Sequence, residues 1–394
     1  MQKFQADYIY PISSDPIPKG IIVIDEKGIV QEITSSGTYS SADINQYEGI
    51  LCPGFINTHC HLELSHLQQT IAVGMGLPRF LRSIGQYKQS YSSAYITEAI
   101  NQSEKSMLAN GIVAVGDISN GDTSFAQKSL GNLRYHTFIE LIGLHPATAA
   151  EKIALGQQLL KQVPTTGQSS ASLSPHAPYT ASAQLLAQID HSNTLNNTPQ
   201  SIHNQEHPDE NAMFQNGTGA FYDLYHHLGL PIKEMFTPTN TNSLAYTLSH
   251  LSPHNKTLLV HNTYTSAAEI QQSQALNPHL YWCFCPNANL FIQGELPNFK
   301  AFLPVSSNIT LGTDSLASNW QLCIFSEIKT ISQHAPYIPL ATLLQWASLN
   351  GANFLGFNDT LGSLEVGKKP GLNLIKYLKP DYSLSPLSRL KKIL

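Results

Sequence analysis

The chain has 394 residues, of which 42% are hydrophobic and 12% charged, and its formal net charge is -5. This composition is typical of a globular protein that buries a sizeable core, and it excludes a disordered chain. Lys and Arg form no run that would follow a phosphate backbone, so we expect no nucleic-acid partner.

The sequence also gives no sign of membrane insertion or export. No stretch of about 18 or more uncharged apolar residues is present, and the segment MQKFQADYIY lacks the apolar core of a signal peptide. The five cysteines are odd in number and sparse for this length, which favours reduced thiols over a disulfide framework. We therefore expect a soluble cytoplasmic protein that acts on a small molecule.

The first 50 residues predict short strands and turns. In KGIIVIDEKGIVQEI, two β-branched runs flank the turn from Asp25 to Gly28, which predicts a hairpin. Beyond residue 50 the pattern changes to apolar runs separated by helix-compatible segments. One of these, SSAYITEAINQSEKSMLANG, ends with Gly111 at a predicted helix C-cap.

Eight apolar, strand-like runs follow one another from residue 50 to about 320. They are GILCPGFINTHCH, GIVAVGDIS, LRYHTFIELIG, SASLSPHAPYT, QSIHNQE, KTLLVHNTY, LYWCFCPNAN and NITLGTDSLAS. Near-continuous apolar strands that alternate with helices indicate a parallel sheet, and eight such units close a barrel. The sequence therefore predicts the α/β class and a (β/α)8 barrel.

Polar residues end most of these runs. They are His59 and His61, His176, His203 and Glu206, His261, Asn287 and Asn289, and Asp314. Because the carboxyl ends of barrel strands meet at one mouth, we expect these side chains to converge there.

Several of these residues are suited to a metal site. His59 and His61 are two residues apart, so both point to one face of a strand, and His203 and Asp314 add a third imidazole and a carboxylate. Each has an ordinary alternative: the histidines as core residues and Asp314 as a turn or N-cap residue. Their shared position at strand ends favours one site that holds a divalent metal and admits a water.

Glu206 and His261 complete a hydrolytic site in this interpretation. Glu206 follows His203 by three residues, so its carboxylate can shuttle a proton for a metal-bound water, while His261 orients that water. The alternative makes Glu206 a solvated loop residue. The letters HNQEH also match the inverted zinc-protease motif, but that motif requires a helix, and Pro208 after His207 opposes one here.

These motifs resemble a known family. CPGFINTHCHLELS, SPHAPYT, IHNQE, LVHNTYTS, CPNANLFI and LGTDSLASN, in that order, resemble the amidohydrolase superfamily and its aminohydrolase branch, which deaminates purine-type rings. The tail LGSLEVGKKPGLNLI resembles the return of that family to a small β-sandwich domain. The resemblance implies a sandwich built from residues 1–50 and 356–394 around a barrel of residues 51–355.

The resemblance also implies roles for individual residues. His59, His61, His203 and Asp314 would hold one metal ion, with zinc first and iron or manganese as alternatives. Glu206, His261 and Asp314 would be catalytic. His176, Glu63 and Ser318 would contact the substrate, and the alternative for Glu63 is a carboxylate that lies behind the metal ligands or on the surface.

The substrate is less specified by the motifs. HCHLELSH together with GTDSLASN most resembles the aminofutalosine deaminases of menaquinone biosynthesis. Adenosylhomocysteine, adenosine, guanine or cytosine are alternatives, as is a chlorohydrolase or amide hydrolase with the same metal cage. Arg79, Arg82 and Arg134 are candidates for binding a substrate carboxylate. Phe221, Tyr222 and Tyr225 are candidates for stacking on a purine, or else pack in the core.

Three further predictions concern the thiols, the oligomeric state and the alternative that the protein is not an active enzyme. Cys283 and Cys285 alternate on a strand, but packing explains them better than a nucleophilic role because no orienting group accompanies them. A homodimer is suggested only because members of the family that the motifs resemble are commonly dimers. A catalytically silent scaffold would lack a ligand or the proton shuttle, and the sequence retains both.

Overall fold

The computed structural model describes residues 1–35, 39–227 and 229–394, with the side chain of His227 excepted. Seven short strands precede the barrel: β1 Gln2–Gln5, β2 Tyr8–Ile9, β3 Ile17–Pro18, β4 Ile21–Ile24, β5 Val30–Thr34, β6 Asn45–Gln46 and β7 Ile50–Cys52. β4 and β5 pair antiparallel, which confirms the predicted hairpin. The Asp25 carboxylate holds its turn by accepting hydrogen bonds from the amides of Lys27 and Ile29.

The eight predicted apolar runs each contain a strand. These strands are β8 Phe55–Cys60, β9 Ile112–Ser119, β10 Arg134–Leu141, β11 Ser170–Pro175, β12 Gln200–Asn204, β13 Thr257–His261, β14 Leu280–Phe284 and β15 Ile309–Leu311. They form two four-stranded sheets, β8 to β11 and β12 to β15, in which all neighbours are parallel.

Hydrogen bonds join the two sheets at both seams. Between β11 and β12, the His203 amide donates to the carbonyl of His176 over 2.9 Å. Between β15 and β8, the Asp314 amide donates to the carbonyl of His59 over 3.1 Å. The eight strands thus have the arrangement of a (β/α)8 barrel, as predicted, and both seams lie beside predicted site residues.

Helices alternate with the strands and cover the outer face of the barrel. They are α1 Leu77–Tyr87, α2 Ser93–Ala109, α3 Phe125–Lys128, α4 Ala149–Leu160, α5 Ala183–Asn196, α6 Pro208–Asn216, α7 Ala220–His227, α8 Ile232–Met235, α9 Ser243–Leu248, α10 Ala267–Leu276, α11 Pro286–Ile292, α12 Phe299–Phe302, α13 Ile324–His334, α14 Leu340–Trp346 and α15 Leu349–Leu355. α2 ends at Ala109, Asn110 is its C-cap, and Gly111 follows in the left-handed region (φ 70°). Glycine adopts this conformation without strain because it has no Cβ. In the described part of the chain, no helix has both the length and the apolar character of a membrane span.

Strands from both ends of the chain share a sheet. β16 Asn373–Lys376 and β17 Arg389–Lys392 join β7, β2 and β3 in a five-stranded sheet, and β5, β4, β1 and β6 form a second sheet. Phe4, Ile22, Leu51 and Leu374 belong to one buried cluster that draws on both sheets. The domain boundaries at residues 50 and 355 stay a prediction.

Candidate metal centre and substrate cavity

The four predicted metal ligands come together at the carboxyl end of the barrel. His59 lies in β8, His61 follows that strand, His203 lies in β12 and Asp314 follows β15. One nitrogen or oxygen of each lies within 4.8 Å of the others, and all four residues are buried. The barrel therefore assembles three imidazoles and one carboxylate from three separate strands.

The spacing of these atoms fits a divalent metal. His61 Nε2 lies 3.2 Å from His59 Nε2 and 3.3 Å from Asp314 Oδ1, and His59 Nε2 lies 3.7 Å from the same oxygen. Ligands bound tetrahedrally at about 2.0–2.2 Å are roughly 3.3–3.6 Å apart. The side chains are thus already arranged at distances that a bound ion would require.

Neighbouring groups fix which atom His203 and Asp314 present to the cluster. His203 Nδ1 lies 2.7 Å from the carbonyl of His176 and donates to it, so Nε2 carries the free lone pair. The Ser318 hydroxyl donates to Asp314 Oδ2 over 2.6 Å and leaves Oδ1 facing the histidines. Outer hydrogen bonds of this kind orient metal ligands and increase their basicity.

Protonation also suits metal binding. Burial lowers the pKa of His61 to about 3 and holds the pKa of His203 well below its ordinary value, so both imidazoles are neutral near pH 7. Burial by itself would raise the pKa of Asp314, but the nearby imidazoles of His59, His61 and His261 lower it overall. The cluster therefore offers neutral nitrogens and an ionised carboxylate, the forms that bind metals.

The strand ends adopt uncommon backbone conformations that turn these side chains inward. Asp314 and His261 are both left-handed, with φ of 57° and 74°. Non-glycine residues in this region cost energy and concentrate at functional sites. Gly312, just before, allows β15 to approach β8, because a Cβ there would lie 2.8 Å from His59 Cβ.

Glu206 lies beside the cluster with His261. Its carboxylate Oε2 is 3.6 Å from His261 Nε2, and Glu206 is only 4% exposed. Burial raises the pKa of Glu206 well above its ordinary value, as expected of a group that both takes and gives protons. The ring of His261 is held on its other side by Asn289 Oδ1, 2.9 Å from Nδ1.

Glu210, at the start of α6, holds the loop that carries Glu206. Its carboxylate accepts hydrogen bonds from the amides of Gln205, Glu206 and His207 over 2.9, 2.7 and 3.3 Å. Burial raises the pKa of Glu210 to about 8, while these three donors favour its charged form. Sequence reasoning missed this residue and the helix that it caps, although a glutamate three positions after an N-cap residue, here His207, is a capping-box signal.

The protease interpretation does not fit this geometry. His203 lies in β12, whereas His207 is the N-cap of α6 and its Nδ1 accepts from the amide of Asp209. The continuous helix that the inverted motif needs is therefore interrupted between the two histidines.

A cavity of about 360 Å³ opens over the cluster. His61, His203, Glu206, His261 and Asp314 line its floor. Its outer wall is apolar and comes mainly from α1, α7 and α11, with Leu77, Phe80, Leu81, Ile84, Leu224 and Ile292. The volume is within the range of pockets that hold drug-sized ligands.

The predicted substrate contacts differ in their access to this cavity. His176 lines it, whereas Glu63 and Ser318 are not among its lining residues. Glu63 is buried and accepts from Lys88 Nζ over 2.6 Å and from the Asn120 amide over 3.1 Å. Glu63 thus holds Lys88 and Asn120, and Ser318 holds Asp314, so both contact residues that line the cavity. For Glu63 this matches the alternative of a supporting carboxylate.

The candidate arginines lie elsewhere. Arg79 and Arg82 occupy exposed positions on α1 and do not line the cavity. Arg134, at the start of β10 and hence at the opposite end of the barrel, donates to Thr360 Oγ1 and stacks its guanidinium over Phe357. None of the three is placed to bind a substrate at the metal centre.

The aromatic candidates on α7 divide similarly. Tyr225 lines the cavity, and its hydroxyl donates to the carbonyl of Tyr179 over 2.7 Å. Phe221 is fully buried and stacks on Tyr179 with ring centroids 4.0 Å apart. Tyr222 is half-buried and is not a lining residue. Leu228, which follows α7 in the sequence, lies outside the described residues.

The cysteine pair at the end of β14 and the asparagine that follows it have structural roles. Cys283 and Cys285 are fully buried, and burial raises the pKa of the Cys285 thiol well above its ordinary value, which opposes a nucleophilic role. Asn287 binds Glu327 and Thr330 rather than facing the cavity.

The polar lining residues that the sequence did not reveal include one carboxylate, one amide and one lysine. Glu140 ends β10, Asn120 follows β9, and Lys88 follows α1. Burial raises the pKa of Glu140 to about 7. The position of Glu140 and Asn120 at strand ends was the available signal, because the same rule predicted the metal ligands.

The (β/α)8 barrel carries, at the ends of its strands, a group of three imidazoles and one carboxylate that could hold a metal ion. The chain belongs to the amidohydrolase family, whose model matches residues 50–393, and it is a hydrolase acting on C–N bonds. This confirms the resemblance drawn from the motifs.

Individual relatives are similar over most of the chain. An adenosine deaminase of Helicobacter pylori is 24% identical over 390 residues, which cover 94% of this chain and 91% of the relative. An aminodeoxyfutalosine deaminase of Nitratiruptor sp. is 25% identical over 344 residues, covering 86% and 82%. The solved aminofutalosine deaminase of H. pylori, in complex with methylthio-coformycin, superposes with a TM-score of 0.79 at 20% identity, covering 98% of this chain and 94% of that one. This structural likeness supports the fold.

Proposed function

We propose that this protein is a metal-dependent hydrolytic deaminase of adenosine-like substrates. The observation that carries the proposal is the position of Glu206, whose carboxylate lies 3.6 Å from His261 Nε2 and faces the same cavity as the four-ligand cluster. The relatives named for adenosine and aminodeoxyfutalosine support an adenine ring as the group that is deaminated.

The metal centre we propose is held by His59, His61, His203 and Asp314. Zinc is the first choice, with iron and manganese as alternatives, because three imidazoles and a carboxylate suit all three. When bound, such an ion supplies Lewis acidity that lowers the pKa of a coordinated water toward neutrality.

The residues of the chain would then divide the proton transfers. Glu206 takes one proton from the attacking water and gives it to the ring nitrogen as the water oxygen bonds to the ring carbon. It then moves the second proton from the resulting hydroxyl to the amine, which leaves as ammonia when the C–N bond breaks. His261, held by Asn289, directs its Nε2 toward the water. The apolar wall excludes bulk water, which strengthens these interactions.

Aminofutalosine is the specific substrate we propose, which would assign the protein to menaquinone biosynthesis. The names of two similar proteins support it. Within the described lining of the cavity the one lysine or arginine is Lys88, and it is paired with Glu63, so the cavity itself gives no added support for a benzoate carboxylate. The cytoplasmic location and the homodimer stay predictions.

Ammonia release by the purified, metal-analysed enzyme tests the proposal. Aminofutalosine, adenosylhomocysteine, adenosine, guanine and cytosine are assayed in parallel, with a chlorinated triazine as the alternative leaving-group substrate. We expect turnover of adenine nucleosides, with aminofutalosine preferred. Chloride release from the triazine with no ammonia from any nucleoside would overturn the deaminase proposal.

A further inference from the structure

One side of the cavity carries a row of polar side chains that the proposed chemistry does not use. We call Glu140, Asn120 and Lys88 the polar ledge; all three line the cavity. Glu140 is 6% exposed, so its carboxylate is buried in the protein and meets solvent only through the cavity.

Only one of the two Glu140 oxygens has a hydrogen-bond partner among the described side chains and amides. Oε2 accepts from Asn120 Nδ2 over 2.7 Å. Oε1 lies 3.8 Å from His203 Nδ1, beyond hydrogen-bond range, and that nitrogen already donates to the carbonyl of His176. Oε1 therefore has no donor in the described part of the chain and can be reached from the cavity, so the site favours a ligand that brings hydroxyl or amine donors.

The rest of the polar ledge is already charge-balanced. Lys88 Nζ lies 2.6 Å from Glu63 Oε1 and donates to Asn120 Oδ1 over 3.3 Å. The lysine charge is thus offset by Glu63, and the acceptor that remains for a ligand is Glu140. An anionic ligand group would meet this carboxylate unfavourably, whereas neutral hydroxyls would satisfy it.

The polar ledge lies between the two other parts of the cavity. Glu140, His176 and His203 each offer a ligand atom within 4.8 Å of the others, so the ledge begins next to the metal cluster. Lys88, at its far end, directly follows α1, whose Leu81 and Ile84 form the apolar wall. A ligand with its base at the cluster would therefore place its next group beside Glu140.

We propose that the polar ledge binds the vicinal ribose hydroxyls of the substrate through Glu140, with Asn120 and Lys88 fixing the carboxylate. The two oxygens of one carboxylate match two adjacent hydroxyl donors. This inference rests on the proposed function and narrows it to ribonucleosides with both the 2′- and 3′-hydroxyl, in preference to free bases and deoxynucleosides. Glu140 is then a specificity-determining residue that touches the sugar rather than the reacting atoms.

A second metal ion on Glu140, His176 and His203 is the competing interpretation of the same residues. Two of the imidazole nitrogens are already engaged, since His203 Nδ1 donates to a carbonyl and His176 Nδ1 lies 2.8 Å from Thr180 Oγ1. His203 Nε2 belongs to the first cluster. These contacts favour a sugar subsite over a second metal.

The test compares Glu140→Gln with the wild type and with Glu151→Gln, a matched change at an exposed position of α4. Values of kcat/KM for ammonia release are measured with adenosine, 2′-deoxyadenosine and 3′-deoxyadenosine. We expect the wild type and Glu151→Gln to prefer adenosine by about tenfold or more, and Glu140→Gln to reduce that ratio below about threefold. Asn120→Ala should reduce the ratio in the same direction, which guards against a folding defect in one variant.

Calorimetric binding of the products separates this inference from the proposed function. Inosine, 2′-deoxyinosine and 3′-deoxyinosine need no turnover, so their relative affinities report the polar ledge even if no ammonia is released. Discrimination in binding without deamination would overturn the proposed function and leave the ribose subsite standing. The subsite would be overturned if the wild type bound all three products with equal affinity, or if Glu140→Gln weakened the binding of all three equally. It would also be overturned if the wild type bound two metal ions and Glu140→Gln bound one.

Discussion

The two sides of the cavity are built from different materials. The strand-end side consists of buried polar groups, several of which are held by a further hydrogen bond, as Asn289 holds His261 and Ser318 holds Asp314. The helical side consists of apolar side chains such as Leu81 and Ile84, which are only partly buried. Fixed polar groups are what the chemical step requires, whereas an apolar wall selects by shape. We therefore expect changes on the first side to alter kcat and changes on the second to alter KM.

The largest effect is expected at the centre of the strand-end side. Glu206→Gln keeps the shape of the side chain but removes the proton acceptor, so kcat should fall by about 10²- to 10⁴-fold. Metal content, measured by inductively coupled plasma mass spectrometry, should equal that of the wild type because Glu206 is outside the ligand set. A fully active Glu206→Gln enzyme would remove the proton shuttle from the mechanism.

A smaller loss of kcat is expected at Glu210, which holds the loop that carries Glu206. Glu210→Gln weakens the acceptor for three backbone amides, which at about 1.5–3 kcal/mol for hydrogen bonds to a charged group corresponds to roughly a 10- to 150-fold fall in kcat. Glu234→Gln, at an exposed position of α8, is the matched control and should retain wild-type kinetics. If kcat of Glu210→Gln stays within twofold of the wild type, the loop does not depend on this carboxylate to position Glu206.

On the helical side, Ile84→Ala should raise KM by about three- to tenfold through lost apolar contact, with kcat nearly unchanged. Ile84 is half-buried, so the variant should keep a melting temperature close to that of the wild type. Steady-state kinetics on the preferred nucleoside measure both constants. A fall in kcat with constant KM would erase the distinction between the two sides.

The smallest effect is expected at the arginines of α1, the helix that also carries Ile84. Arg79→Ala and Arg82→Ala should change kcat/KM by less than about twofold, because both residues occupy exposed positions and do not line the cavity. The comparison is made on a substrate with a carboxylate, such as adenosylhomocysteine. A tenfold loss confined to that substrate would give an arginine the carboxylate-binding role that the structure does not assign to it.

The two sides also differ in how much of each was predictable from the sequence. The metal ligands follow from strand periodicity and the barrel rule, because His59 and His61 are two residues apart and each strand delivers its end to one mouth. The eight strands were predictable for the same reason. Glu63 and Ser318 lie close to ligands in the sequence, yet sequence distance does not tell whether a side chain faces the cavity or a neighbour.

The residues of the helical side follow no such rule. Which face of α1 lines the cavity depends on how the helix packs over the mouth of the barrel. The sequence alone therefore could not show that Leu81 and Ile84 line the cavity while Arg79 and Arg82 do not. Glu140 and Asn120 do lie at strand ends, but a single carboxylate or amide is common in loops and carries little information without its partners. Tertiary packing, rather than local pattern, decides these positions.

The most direct test of the metal-centred site is anomalous diffraction from crystals of the purified protein at the absorption edge of its bound metal. The site geometry predicts one strong peak at about 2.0–2.2 Å from the Nε2 atoms of His59, His61 and His203 and from Oδ1 of Asp314. A peak on Glu140 and His176 instead, or no peak in catalytically active protein, would contradict the assignment of this cluster as the catalytic metal site.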